Sequence, residues 1–190
     1  AFVVTFLEQL EAPLRHTADP AVLERELCGR AITQLSYAAL PRELREQSEP
    51  LWCLSLEVRN ARSMDEALRR WVERETIEGY NWREEAGSEH RGVTIERRVA
   101  LDGPTLPPTL LVHLSRFTMN LDTFQTEKLN SYFPFPHSLD LEPYTRDGLA
   151  RRDAEAAASA AEAAEAAAVA DAAAETPTPD DGGDDGAGAR

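Results

Sequence analysis

The spacing of apolar residues changes partway along this chain, and that change constrains the fold more than any single motif. Phe2, Phe6, Leu7, Leu10 and Leu14 recur every three to four positions, which places them on one face of an α-helix. An amphipathic helix is expected over about 2–16, kinked or shortened by Pro13, whose ring does not fit a helix interior. Asp19-Pro20 has the form of an N-cap followed by proline at the first helical position. It predicts a second short helix running to Leu27 and stopped by Gly29.

Further on, the period is two. Trp52, Leu54, Leu56 and Val58 alternate with Cys53, Ser55, Glu57 and Arg59, the pattern of a half-buried strand. Val93, Ile95, Arg97, Val99 and Leu101 mark a second strand, and Asp102-Gly103 a turn after it. Leu110, Val112 and Leu114 share one face of a third, with Leu111, His113 and Ser115 on the other. A fourth is expected over about 126–130 and a fifth over about 138–141. Between the first two lies Ser63-Met-Asp-Glu66, a capping box. It opens a helix expected to bury Met64, Leu68, Trp71 and Val72 and to end soon after, at Gly79. Residues 41–50, polar and bounded by prolines, are expected to form a loop or a short helix. Residues 80–91 carry no strand pattern. Helices first and strands later predict an α+β fold, N-terminal helices followed by a largely antiparallel sheet.

A second boundary is compositional. Residues 1–149 have globular composition, whereas 150–190 are nearly all Ala, Glu and Asp and then Thr-Pro-Thr-Pro-Asp-Asp-Gly-Gly. Alanine favours helix, so 153–175 is expected to be helical and the remainder disordered. Val169 is the only large apolar residue of that segment, so the helix has no face to bury. The tail reads as a solvated low-complexity segment, with an acidic docking segment as the sharper alternative.

The 190 residues include 20 basic and 34 acidic side chains, a net charge of −14. A phosphate backbone needs a cationic surface, so nucleic acid is not an expected partner. No apolar run is long enough to span a membrane, and no membrane partner is expected. Cys28 and Cys53 are too few for a disulfide framework, which predicts reduced thiols and an intracellular, cytoplasmic or nuclear protein. The start, Ala1-Phe2-Val3-Val4, has neither methionine nor a basic n-region and reads as a piece of something longer.

Residues 106–149 carry a more specific signal. Leu106-Pro-Pro-Thr-Leu-Leu-Val-His-Leu-Ser-Arg-Phe117 leads from a proline pair through an apolar strand to Arg-Phe. Lys128-Leu-Asn-Ser-Tyr-Phe-Pro-Phe-Pro136 and Leu139-Asp-Leu-Glu-Pro-Tyr144 follow. Together with the opening helix Phe2–Leu14, with Leu54-Ser-Leu-Glu-Val58 and with Ile77-Glu-Gly-Tyr-Asn81, this ordered series resembles the ubiquitin-specific proteases, cysteine-type deubiquitinases, over roughly 1–149. Asp140-Leu-Glu-Pro-Tyr144 looks most similar to the large, multi-domain members. The resemblance implies the end of a thumb, the fingers and much of a palm. It also implies ubiquitin or a ubiquitinated protein as partner. With most of the thumb absent, Phe2 and Phe6 would be left uncovered and the isolated chain poorly soluble or partly molten.

Two departures from the family pattern matter. Family members commonly hold zinc in the fingers with two Cys-x-x-Cys pairs. The first pair would fall in Tyr37-Ala-Ala-Leu-Pro41 and the second near Glu85 and Ser88, and no cysteine stands at either place. No zinc, no other cofactor and no metal ligand is expected. Packing among Tyr37, Leu40, Tyr80 and Trp82 would have to serve instead.

A thiol hydrolase also needs a cysteine nucleophile and an activating histidine. The family's Gly-Asn-Thr-Cys and Gly-His-Tyr boxes are both missing, so no catalytic residue is assigned. Cys28 and Cys53 read as structural thiols. His113, mid-strand, reads as a satisfied strand residue or, alternatively, a functional one. His16, His90 and His137 share no metal-type spacing. Arg116 and Phe117 are, by resemblance, beside the cleft for the ubiquitin tail. Phe117 closing the core is the equal alternative, and Phe133 and Phe135 are expected in the core. The function implied is part of a ubiquitin carboxyl-terminal hydrolase that lacks its catalytic boxes. The alternatives are a catalytically inactive ubiquitin-binding or scaffold module, or an incomplete gene product.

Overall fold

The computed structural model describes residues 2–40, 43–84, 87–119 and 124–174. Pro41 and Glu85, two positions of the finger windows, and the tail beyond 174 lie outside the described residues. Two compact units are present, Ala1–Ala150 and Arg151–Arg190.

The first unit begins with helix α1 (Phe2–Leu14), which ends one residue after Pro13. Leu7 is its buried residue. Phe2 is 80% exposed and Phe6 50%, their rings stacked at 6.1 Å. Helix α2 (Val22–Leu27) starts later than Asp19-Pro20 implied. Its N-cap is Ala21, without a side-chain cap, because the Asp19 carboxylate pairs with Arg25 at 2.7 Å. Gly29 does not stop the helix. Cys28 already has extended backbone, and Gly29 opens a strand. A Cβ there would stand 2.9 Å from Pro107 Cδ and 3.3 Å from the Thr105 carbonyl, too close for any side chain.

Four strands form one antiparallel sheet in the order β2-β1-β5-β4. They are β1 (Gly29–Ser36), β2 (Leu44–Leu51), β4 (Glu75–Arg83) and β5 (Glu89–Leu101). The register runs from Gly29↔Leu51 to Ser36↔Leu44 between β1 and β2, and from Ala31↔Leu101 to Ser36↔Glu96 between β1 and β5. Here the structure departs from the sequence expectation. Residues 44–51 are a strand rather than a loop or short helix, 80–83 and 89–91 are strand residues, and 29–36, to which the sequence pattern assigned no element, form a strand as well. Strand β2 and the facing ends of β4 and β5 are solvated on most of both faces, so they have no need of alternating hydrophobicity, whereas β1, interior in the sheet, is mostly half-buried. Pro50 is tolerated because β2 is an edge strand. Gly79 lies inside β4 at φ +73, at a register shift between Ile77 and Tyr80, and not at the end of a helix.

Strand β3 (Leu54–Glu57) pairs in parallel with β6 (Val112–Ser115), unlike the antiparallel four-stranded sheet. Helix α3 (Met64–Trp71) packs against β3. Ser63 Oγ accepts from the Glu66 amide at 3.2 Å, and the Glu66 carboxylate accepts from the Arg62 amide at 2.8 Å, so the capping box forms, shifted by one residue at its return bond. Leu54, Leu56 and Val58 of β3 and its extension meet Met64, Ala67, Leu68 and Val72 in the core, with Ala100, Leu101, Phe133, Tyr144 and Leu149. Trp71 is only partly buried. Phe135 is 74% exposed and stays outside the core, contrary to expectation. Strands β7 (Phe117–Met119) and β8 (Thr126–Lys128) form a small antiparallel ribbon.

Residues 138–141 do not form the fifth strand expected. Asp140 Oδ1 accepts from the Glu142 amide at 3.0 Å, and the chain turns into a short 3₁₀ segment, Glu142–Tyr144, with Pro143 in its first turn. Thr145 then caps helix α4 (Arg146–Ala174): its hydroxyl accepts from the Gly148 amide at 3.1 Å. The helix therefore begins before residue 153, because Leu149 is buried in the core of the first unit.

Tyr144 is 2% exposed, and its hydroxyl donates to the Asp65 carboxylate in the first turn of α3. Burial, then the neighbouring carboxylate, push its phenol up to about 12. An unfolded phenol ionises near 10, so this group's stabilisation is complete below pH 10 and lost as pH rises towards 12. Tyr144→Phe is expected to cost about 1–2 kcal/mol at neutral pH and to flatten that alkaline decline. Urea denaturation from pH 8 to 11.5 measures both.

Candidate functional site

The outward half of β3 builds the site. Leu54, Leu56 and Val58 point to the core, so Ser55, Glu57 and Arg59 face outward. The parallel register sets Ser55 beside His113 and Glu57 beside Ser115. A cleft of about 300 Å3 opens here, completed by Arg70 and Trp71 of α3 and by Glu75 and Arg97 of the larger sheet.

Its charges are mostly spoken for. Arg70 donates to the Arg59 carbonyl at 2.9 Å, to the Asn60 carbonyl at 2.6 Å and to Glu66 at 2.6 Å. Arg97 pairs with Glu75 at 3.2 Å. Arg59 donates to the Thr118 hydroxyl at 3.1 Å, which links the cleft to β7. Glu57 is a cleft carboxylate with no hydrogen-bond or ion-pair partner among the described residues.

Arg116 sits where β6 passes into β7. Its carbonyl accepts from the Leu129 amide at 2.6 Å, and its guanidinium donates to the carbonyls of Leu129 and Ser131 at 3.3 and 2.9 Å. The guanidinium thus fastens β7 to the segment after β8. Phe117 does not close the core. It is 67% exposed and, with Met119 at 55%, stands on one face of β7, Thr118 between them being half-buried. Phe124, two residues before β8, is 78% exposed.

The thiols and imidazoles lie apart. Cys28 ends α2, and its thiol donates to the Gly29 carbonyl at 3.4 Å. Burial, then the Glu24 carboxylate, raise its pKa, so it stays protonated. His113 Nδ1 lies 2.9 Å from Ser55 Oγ and His90 Nε2 2.5 Å from Glu84. Among the described residues, no histidine forms a hydrogen bond with either cysteine. No group of three or more His, Cys, Asp or Glu is placed to hold a metal there. Sequence reasoning singled out Arg116, Phe117 and His113. It passed over Glu57, Arg59 and Arg70, although the outward half of the β3 alternation carried the first two.

Helices leading into an antiparallel sheet, joined to a parallel strand pair with an open cleft, define the class of scaffold. The family described as "Ubiquitin carboxyl-terminal hydrolase" matches residues 2–157. The chain belongs to the ubiquitin carboxyl-terminal hydrolase family. It is 31% identical over 154 residues to the probable ubiquitin carboxyl-terminal hydrolase FAF of Drosophila melanogaster, a match covering 81% of this chain and 5% of that protein. It is 28% identical, also over 154 residues, to ubiquitin carboxyl-terminal hydrolase 9X of Mus musculus, covering 81% and 6%. The chain thus spans about a twentieth of the length of these curated relatives, which are large proteins. A solved structure of the SAGA DUB module bound to monoubiquitin shares the fold, with a TM-score of 0.62 and 17% identity over 76% of this chain and 32% of the other.

Replacing Arg116 by Met keeps the length of the side chain and removes both donations to the 129–131 carbonyls. It is expected to cost about 1–2 kcal/mol of stability and to speed amide exchange in β7 and β8 while leaving α3 protected. Hydrogen–deuterium exchange read by mass spectrometry tests this.

Proposed function

We propose that this segment is the ubiquitin-receiving part of a thiol-dependent deubiquitinase, binding and aligning the extended ubiquitin tail. The observation that carries the reading is the exposed pair Phe117 and Met119 on a strand held in register by Arg116, beside a cleft with the unpartnered carboxylate of Glu57. An extended peptide is recognised by an apolar wall with polar groups along a strand, and this ribbon offers both. Family membership and the likeness to a module whose title names bound monoubiquitin support the choice of partner.

Cleavage in such an enzyme proceeds by thiolate attack on the isopeptide carbonyl, expulsion of the amine to leave an acyl-enzyme, and release by water. The 190 residues contain no Gly-Asn-Thr-Cys or Gly-His-Tyr box, so their share of the reaction is binding and positioning. Titrating the chain into 15N-labelled ubiquitin should shift resonances of the ubiquitin C-terminus. Phe117→Ala combined with Met119→Ala should weaken that binding about tenfold or more. Unshifted spectra at saturating concentration would reject the reading. The chain should show no turnover of a fluorogenic ubiquitin substrate, and thiol-dependent turnover would overturn the assignment of a purely binding role.

A further inference from the structure

The far end of the four-stranded sheet presents a cluster that the ubiquitin-facing site does not use. The connections after β1 and after β4 both lie at this end, where the family's zinc pairs would stand. Trp82, near the end of β4, is fully buried although both its strand neighbours are exposed. Tyr37 packs against it with ring centres 6.1 Å apart, and Tyr80 at 6.3 Å. The guanidinium of Arg45 lies 4.1 Å above the Trp82 ring centre. Glu43 accepts the indole N–H at 3.1 Å. His90 completes the group, its ring 5.7 Å from that of Tyr37 and its Nε2 held by Glu84. Residues in or bordering all four strands contribute.

The donors at this end do not fit a tetrahedral zinc of the family type, which needs thiolates or imidazoles at about 2.0–2.3 Å. Both cysteines lie at the opposite end. Cys28 directly precedes β1, and Cys53 follows β2 just past Leu51, the partner of Gly29. Eight strand residues at about 3.3 Å each separate them from Tyr37 by roughly 25 Å. The one imidazole here packs on Tyr37 and is bonded to Glu84.

We propose that the Arg45–Trp82–Tyr37–His90 cluster, tied down by Glu43 and Glu84, clasps the far end of this sheet in place of a metal. A guanidinium over an indole face is attractive because the ring carries its negative potential there. Tilted aromatic pairs add directional contact. The cluster supplies buried apolar contact at an end of the sheet where β2, β4 and β5 are otherwise mostly exposed.

The test uses the whole 190-residue chain. After exposure to zinc and dialysis, bound zinc should be substoichiometric, and the unfolding midpoint should be the same with and without a strong chelator. Trp82→Ala should speed amide exchange in residues 37–40 and 87–92 about tenfold or more while α3 and β3 stay protected. Arg45→Met, which keeps the stem and removes the cation, should speed the same amides to a smaller extent. One zinc per chain with a chelator-sensitive midpoint overturns the proposal. So does unchanged exchange in Arg45→Met, which decides the matter if Trp82→Ala unfolds the whole chain.

Discussion

Strand β3 is the constraint on which the rest of the first unit depends. Its inward residues, Leu54, Leu56 and Val58, are the floor on which α3 lies, and its outward residues line the cleft. Because a strand alternates faces at every residue, a slip of one position would exchange the two sets. Several bonds prevent that slip. The Leu54 amide donates to the Leu111 carbonyl at 2.8 Å, and the parallel register to β6 continues from there. At the other end Arg70 grips the carbonyls of Arg59 and Asn60, and Asn60 turns the chain at φ +62, a conformation asparagine tolerates better than most residues.

The same economy appears after the Arg-Phe pair. Arg116 is consumed in holding β7 to the segment beyond β8, which leaves Phe117 and Met119 to face outward. Tyr144, further along the chain, reaches back to Asp65 of α3. The Leu-Glu-Pro-Tyr run is therefore a structural tie between the late segment and the helix over β3, and Thr145 begins α4 from that tie. Positioning and stability use adjacent residues here, with the polar fork of one side chain freeing the apolar face of the next.

How much of this could be seen in advance depends on burial. Strand β3 and helix α3 were legible because a core on one side imposes a period on the residues that meet it, and Ser63 marked the helix start by its own chemistry. β1, β2 and the outer half of the β4–β5 hairpin were not legible. Water covers most of both faces of β2 and of that outer half, so polar residues serve as well as apolar ones there, and hydrogen bonds to neighbouring strands supply the order instead; β1 is half-buried along most of both faces, which imposes no alternation. The turn over 138–141 was misread as strand for a related reason: Leu139 and Leu141 alternate, but Asp140 captures the Glu142 amide and ends the extended run.

The sequence by itself determined the family, the fold class and the lack of a catalytic box, because each rests on residue identity and order along the chain. It also located Arg116 and Phe117 and the aromatic residues at 37, 80 and 82. Only the tertiary structure decided what those residues do. Exposure of Phe117, occupation of the Arg116 fork by carbonyls, and convergence of Arg45, Trp82 and His90 all depend on strand register. Register brings together residues dozens of positions apart, and local pattern carries no record of it.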